Sequence, residues 1–271
     1  MPVRLSETQI RIYQEQGFLI VEEPLFSPDK FAAFKDRFEW HLKLWENLSG
    51  HPVEGIDRAN FVDPKLNEWF LSDQVLDLVE PLIGPDIALF ATSCLNKLAP
   101  AGKRVPWHED GSYWKPMAEN RIEVVTVWLA IDPSTPANGC MRVIAGSHRE
   151  RDREHEQVKD LGNTLLRRTV REDLVDESKA VDCVLEPNHC SLHDAYLIHG
   201  SDATDGKMRR CGYQMRYMPT TVKSTHFSGQ MVYLARGRDR AGNEYLDPDK
   251  VNDLWLEERP ELQRIVEACA A

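Results

Sequence analysis

The chain has 271 residues, 42% of them hydrophobic, enough to bury a substantial core and matched to one elaborated domain over residues 1–271 better than to two. Charged residues make up 28% with no low-complexity tract, which excludes wholesale disorder, and a formal net charge of −11 argues against nucleic acid and anionic membrane as partners. No apolar run approaches the roughly 20 residues needed to span a bilayer, and residues 1–7 lack a signal-peptide pattern. The expectation is a cytoplasmic protein acting on a small molecule, with oligomeric state left open.

In chain order, residues 1–86 form a mainly helical leader. Ser6 followed by Gln9 is a capping-box pattern, and the helix it opens stops at Gly17. Residues 18–21 read as a short strand. Ser27-Pro28 starts a second helix, along which Phe31, Phe34, Phe38, Leu42 and Trp45 recur at helical spacing. Ser72-Asp73 starts another, with Leu76, Val79 and Leu82 on one face and Gly84-Pro85 as its end.

From residue 87 the period changes. Segments 87–98, 124–131, 140–144, 181–185, 190–193 and 210–218 read as strands, separated by Pro, Gly, Asn and Asp. Short strands behind a helical leader predict a mainly β fold: a double-stranded β-helix, or cupin-like jelly roll, over residues 87–219 with flanking helices. The charged insertion 149–180 is too long for a hairpin connection; some helix is expected there, serving as a lid. Residues 220–271 are a C-terminal extension with no assigned role. The six cysteines (Cys94, Cys140, Cys183, Cys190, Cys211 and Cys269) stand singly and are expected free and buried.

Trp107-His108-Glu109-Asp110-Gly111 places an imidazole and a carboxylate two residues apart. In an extended chain these share a face while Glu109 points away. Such a pair needs a distant histidine, and among His189, His193 and His199 the last closes an apolar strand end before Gly200, whereas His193 suits a core or supporting position and His148 a turn. Two histidines and one carboxylate with open positions form the geometry of non-heme Fe(II) oxygenases. A hairpin further on comes Arg209-Arg210, where a planar guanidinium can bind the far carboxylate of an α-keto acid co-substrate bidentately.

Four ordered blocks, Leu95-Asn96-Lys97, His108-Glu109-Asp110, Trp128 through Asn138-Gly139 to Gly146-Ser147-His148, and His199-Gly200-Ser201 with Arg210, give the chain its family likeness. It resembles the phytanoyl-CoA dioxygenase family of Fe(II)/2-oxoglutarate oxygenases from the leader to about Pro219. The resemblance implies that His108, Asp110 and His199 are iron ligands and that Arg210 clamps the distal carboxylate of 2-oxoglutarate, with Arg209 as the fallback. It also implies Ser201 as a hydroxyl partner of that carboxylate, Trp128 and Ser93 as further walls, and Trp114 as a pocket aromatic. Asp110 stands where halogenating relatives carry a small residue, which argues against that chemistry.

The implied reaction consumes O2, converts 2-oxoglutarate to succinate and CO2, and hydroxylates an unactivated carbon of a small molecule. The competing reading is a metal-binding cupin without oxygenase activity, a sensor or lyase-like enzyme, which would have no need of Arg210 with Ser201. The family name does not establish a CoA substrate. Arg58, Asn96, Lys97, Tyr113, Lys115 and Arg216 form a cationic and aromatic set in segments bordering the expected iron face, which predicts an anionic substrate such as a carboxylate or phosphonate.

Overall fold

The computed structural model describes residues 3–99, 101–119, 122–204, 206–225 and 231–270. Ser6 caps α1 (Glu7–Gln16) through the reciprocal Gln9 contact, and Gly17 at φ 78° ends it and turns the chain into β1 (Phe18–Val21). Ser27 caps α2 (Pro28–Ser49), whose buried Phe34, Phe38 and Leu42 realise the expected stripe. There follow β2 (Gly55–Asp57), α3 (Asn67–Phe70) and α4 (Asp73–Ile83). The strand region holds β3 (Ile87–Lys97), β4 (Val105–His108), the single turn α5 (Gly111–Trp114), β5 (Val125–Ala130) and β6 (Met141–Ile144). It continues through β7 (His155–Gln157), β8 (Arg168–Val170), β9 (Ala180–Cys183), β10 (Cys190–Asp194), β11 (His199–Ser201) and β12 (Arg210–Pro219). After it come β13 (Tyr233–Arg236), α6 (Asp253–Glu257) and α7 (Gln263–Ala270).

Two antiparallel sheets make the jelly roll. The larger runs β1-β10-β5-β12-β3-β13, with β2 also on β3; the smaller runs β4-β11-β6-β9. Side-chain alternation decides what each face of the larger sheet does. Val127, Leu129, Leu192, Cys211, Tyr213 and Met215 point outward into one core with the helical leader, where Phe34 meets Tyr213 edge-on at 5.4 Å. The inward face carries the intervening residues, many of them polar, and looks toward the smaller sheet across the cavity described below.

Every expected strand has a counterpart, but the insertion departs from expectation. Instead of α-helix it forms the β7–β8 hairpin with single 3-10 turns at Glu172–Leu174 and Glu177–Lys179. Its inner residues explain why: Thr169 and Val170 are buried, and Thr169 Oγ1 donates to the Trp107 carbonyl at 3.0 Å. The C-terminal extension is also structural. β13 extends the larger sheet beyond β3, and Trp255 packs edge-on against Phe61 at 5.5 Å. Five cysteines are buried and Cys269 is partly so, all free. Among the described residues no helix is long and apolar enough to cross a membrane.

Candidate metal and co-substrate site

Two very short strands of the smaller sheet bring the proposed ligands together. His108 ends β4, His199 begins β11, and the two are direct antiparallel partners with ring centroids 4.1 Å apart. The β4–β11 approach leaves no room for a side chain at position 200, where a Cβ would lie 2.9 Å from the Val105 carbonyl oxygen. Asp110 is not extended, as the spacing argument assumed, but already helical at φ −57°, ψ −40° as the chain turns into α5. That turn still directs its Oδ1 to 3.4 Å from His108 Nε2 and 4.0 Å from His199 Nε2.

These residues fit a divalent metal. One ligand atom from each of His108, Asp110 and His199 lies within 4.8 Å of the others, and all three residues are buried. Each imidazole is oriented by its other nitrogen: His108 Nδ1 donates to the Pro106 carbonyl and His199 Nδ1 to the Leu197 carbonyl, both at 2.9 Å. A backbone partner on Nδ1 leaves Nε2 as a directed lone pair, the usual arrangement of a metal-bound histidine. Burial would raise the Asp110 carboxyl, but the imidazoles of His108 and His193, with His199 and Arg216, hold it well below its ordinary range. Burial, then the neighbouring His108, keeps His199 neutral. Glu109 faces away, as expected. Its Oε2 accepts from Arg153 N at 3.0 Å, tying the ligand turn to the insertion, and burial pushes its carboxyl up to about 7.

A second cluster, His41, Asp63 and Cys269, has similar spacing but different chemistry. Asp63 Oδ2 already accepts from Arg37 Nε and from His41 Nε2, both at 2.7 Å, so a guanidinium occupies the position a metal would need.

Arg210 is 1% exposed and points along the inner face of the larger sheet. Its Nε and Nη2 donate to the Gly139 carbonyl at 3.1 and 2.9 Å, Nη2 reaches Ser201 Oγ at 3.4 Å, and its guanidinium lies 5.4 Å from the Trp128 ring centre. Among the described residues no carboxylate pairs with it, although burying an unpaired charge is costly. The neighbouring Arg209 faces outward and is bound by Glu39 and Asp132, which removes it as a clamp. Arg210, Ser201, Trp128, His108, Asp110 and His199 line one common cavity.

A family model described as phytanoyl-CoA dioxygenase (PhyH) matches residues 13–211, well over half of the sequence. The chain belongs to the phytanoyl-CoA dioxygenase family. It is therefore an enzyme of the 2-oxoglutarate-dependent dioxygenase class. It is 29% identical to a probable phytanoyl-CoA dioxygenase of Caenorhabditis elegans over 93% of its own length and 91% of the relative's. It spans 66% of the peroxisomal enzyme of Rattus norvegicus, at 26% identity over 78% of this chain. Solved structures with the same fold include the apo non-heme monooxygenase ThoJ, with TM-score 0.74, 20% identity and coverage of 97% of this chain and 98% of that one. EctD from S. alaskensis with bound Fe gives 0.68, 18%, 81% and 79%. EvdO2 from Micromonospora carbonacea var. aurantiaca complexed with 2-oxoglutarate gives 0.61, 20%, 81% and 94%.

Around this family core the remaining candidates divide. Arg216 lines the cavity; its Nη1 donates to Ser93 Oγ at 2.9 Å, Nη2 donates to Gln214 Oε1, and its guanidinium lies 5.3 Å from the Trp114 ring centre. Ser93 thus serves the Arg216 end of the cavity, not the Arg210 end where a co-substrate wall was expected. Trp114 packs behind Arg216 and meets Phe90 edge-on at 5.6 Å, and Tyr113 lies 6.1 Å from the His108 ring with its hydroxyl donating to the Arg168 carbonyl.

The other four depart from the expected substrate set. Asn96 projects to the opposite face of β3 and donates to the Val53 carbonyl, because alternation sends it outward between Leu95 and Lys97. Lys97 faces inward but donates to the Lys103 and Asp202 carbonyls; burial and Arg210 push its ammonium down to about 7. Arg58 pairs with Asp57 at 2.7 Å and packs between Phe61 and Trp255. Lys115 pairs with Asp152.

Sequence reasoning missed Gln214, although alternation from Arg210 along β12 would have found it. It also missed Leu165 and Leu166, which line the cavity from the insertion and sit in a charged segment that gives no such signal. Gly212 is a further silent position: a Cβ there would come within 2.0 Å of Trp128 Cζ2. Gly212→Ala is expected to cost about 1–3 kcal/mol of stability by overpacking. It should also weaken 2-oxoglutarate binding by driving the indole toward Arg210. Thermal denaturation and a co-substrate titration check both, and no change in either would show that Trp128 is not confined.

Proposed function

We propose that this enzyme hydroxylates a small molecule using O2 and 2-oxoglutarate, with Fe(II) held by His108, Asp110 and His199. The observation that carries the reading is Arg210: a buried guanidinium without a carboxylate partner among the described residues, lining the same cavity as the three ligands. A sensor or lyase using the same ligands would have no use for it. When bound, the iron supplies the oxidising chemistry that couples decarboxylation of 2-oxoglutarate, to succinate and CO2, with hydroxylation of a substrate carbon.

The protein's own part is positional. Arg210 and the Ser201 hydroxyl hold the distal carboxylate of the co-substrate, and Trp128 walls its carbon chain. Leu165 and Leu166 close the cavity against water. The insertion is held in place by Trp107 Nε1 donating to Glu177 Oε1 at 2.9 Å and by Tyr113 donating to the Arg168 carbonyl.

On the substrate side, Arg216 is the cation of the expected set that lines the cavity, and it too has no ion-pair partner among the described residues. This favours a substrate with an anionic group directed at Arg216. Candidate metabolites offered with Fe(II), 2-oxoglutarate and O2 should stimulate succinate formation, and carboxylate or phosphonate compounds should outperform matched neutral analogues, more so at low salt. Equal turnover of neutral analogues would remove the anion preference. Substrate-independent failure to form any succinate would remove the oxygenase reading itself.

A further inference from the structure

A third imidazole, not itself one of the proposed ligands, lies beside the three. His193, on the inward face of β10, is 1% exposed, and neither of its ring nitrogens has a hydrogen-bond partner. Its ring centre is 4.8 Å from that of His199, and its Nε2 is 3.8 Å from Asp110 Oδ2, just beyond hydrogen-bond distance. Buried polar nitrogens are rarely left unpaired, so such a group marks something it is built to meet.

The two oxygens of Asp110 are divided between neighbours. Oδ1 faces His108 and His199, and Oδ2 faces His193. Behind His193 the pattern repeats. Thr126 stands directly opposite it on β5, Ser191 precedes it by two residues on the same face, and the hydroxyls of both are buried without a partner. Neither hydroxyl bonds Nδ1 in the structure; one that closed onto it would leave the proton on Nε2, directed at Asp110.

We propose that His193 is a positioning residue for the metal site: Nε2–H donates to Asp110 Oδ2 in the metal-loaded protein, so that Asp110 offers Oδ1 alone. This rests on the assignment of Asp110 as a ligand. Withholding Oδ2 keeps one coordination position from the carboxylate. The three-ligand arrangement needs that position for the bidentate co-substrate and O2.

The test measures Co(II) affinity and the visible absorption of the Co(II) form, alongside thermal stability of the metal-free protein. His193→Leu is expected to weaken Co(II) binding by roughly 10- to 100-fold, the range for lost outer hydrogen bonds to a metal ligand, and to alter the Co(II) spectrum. The same change should leave the metal-free Tm unchanged or higher, because two unpaired buried nitrogens are removed. His193→Gln, whose amide N–H can reach the same oxygen, should recover most of the affinity. Thr126→Val, nearly isosteric and mild enough to fold if His193→Leu does not, should give a smaller loss in the same direction.

A lower metal-free Tm with unchanged Co(II) affinity in His193→Leu would make His193 a packing residue and overturn the proposal. So would a glutamine variant as impaired as leucine, or an unaffected Thr126→Val. Failure of the wild-type protein to bind Co(II) at all would instead overturn the metal reading beneath it.

Discussion

Asp110→Ala is expected to lose Fe(II) binding and to lower turnover by more than about 100-fold, since removing a ligand must exceed the roughly 10- to 100-fold cost of losing a partner behind one. Among the described residues the carboxylate is the one anion set against three buried imidazoles, those of His108, His193 and His199. Without it the site offers imidazole nitrogens alone, and a divalent cation loses its charge compensation in a low-dielectric setting. The carboxylate's absence also leaves His193 with nothing to meet. Metal content after anaerobic reconstitution reads the effect directly, and circular dichroism checks that the fold survives. A variant that retains one equivalent of Fe(II) and wild-type turnover would exclude Asp110 as a ligand.

The helical leader and the long strands are legible because their periods are long enough to read. Phe34, Phe38 and Leu42 mark a helix face by recurrence, and the apolar β5 marks a strand by length and flanking turns. The strands that carry the proposed histidine ligands are not legible in that way. β4 has four residues, one of them proline, and β11 has three, too few for any period. His108, Asp110 and His199 are recognisable by donor chemistry and spacing, not as secondary structure.

Other misreadings share one physical cause: a sequence reports a charge but not its partner. Arg58 and Lys97 belong to the cationic set expected to border the site, yet Asp57 and two backbone carbonyls already hold them. Arg209 and Arg210 are adjacent and chemically alike, and only the strand's facing separates an ion-pair network from a cavity wall. Asn96 could have been placed correctly from the alternation that sends Leu95 and Lys97 inward. His193 could not, because its meaning depends on an aspartate 83 positions away in the chain and 3.8 Å away in space.

Arg210→Met should raise the KM for 2-oxoglutarate by about 30-fold or more, corresponding to at least about 2 kcal/mol for removing one partner of a buried charge pair. Fe(II) affinity should hold, because Arg210 touches none of the three ligands. At saturating co-substrate, kcat should fall far less than kcat/KM, the pattern expected when uniform binding is lost. Stability of the metal-free protein is set by opposing effects. Methionine removes an uncompensated buried charge, whose desolvation pulls the guanidinium down to about 10, but leaves the Gly139 carbonyl without its two donors. The charge is the larger cost, so Tm should not fall. Arg210→Lys should be intermediate in KM, since an ammonium keeps the charge but loses the planar fork. The rival anion site is Lys97, directly across from Arg210 on β3. Its ammonium is committed to two carbonyls and held to about 7, so near neutral pH it is only partly charged, whereas the guanidinium remains protonated. An unchanged KM in Arg210→Met with a raised KM in Lys97→Met would transfer the clamp to Lys97. A raised KM in Arg210→Met alone would leave Lys97 as the group that closes the Lys103 and Asp202 carbonyls behind it.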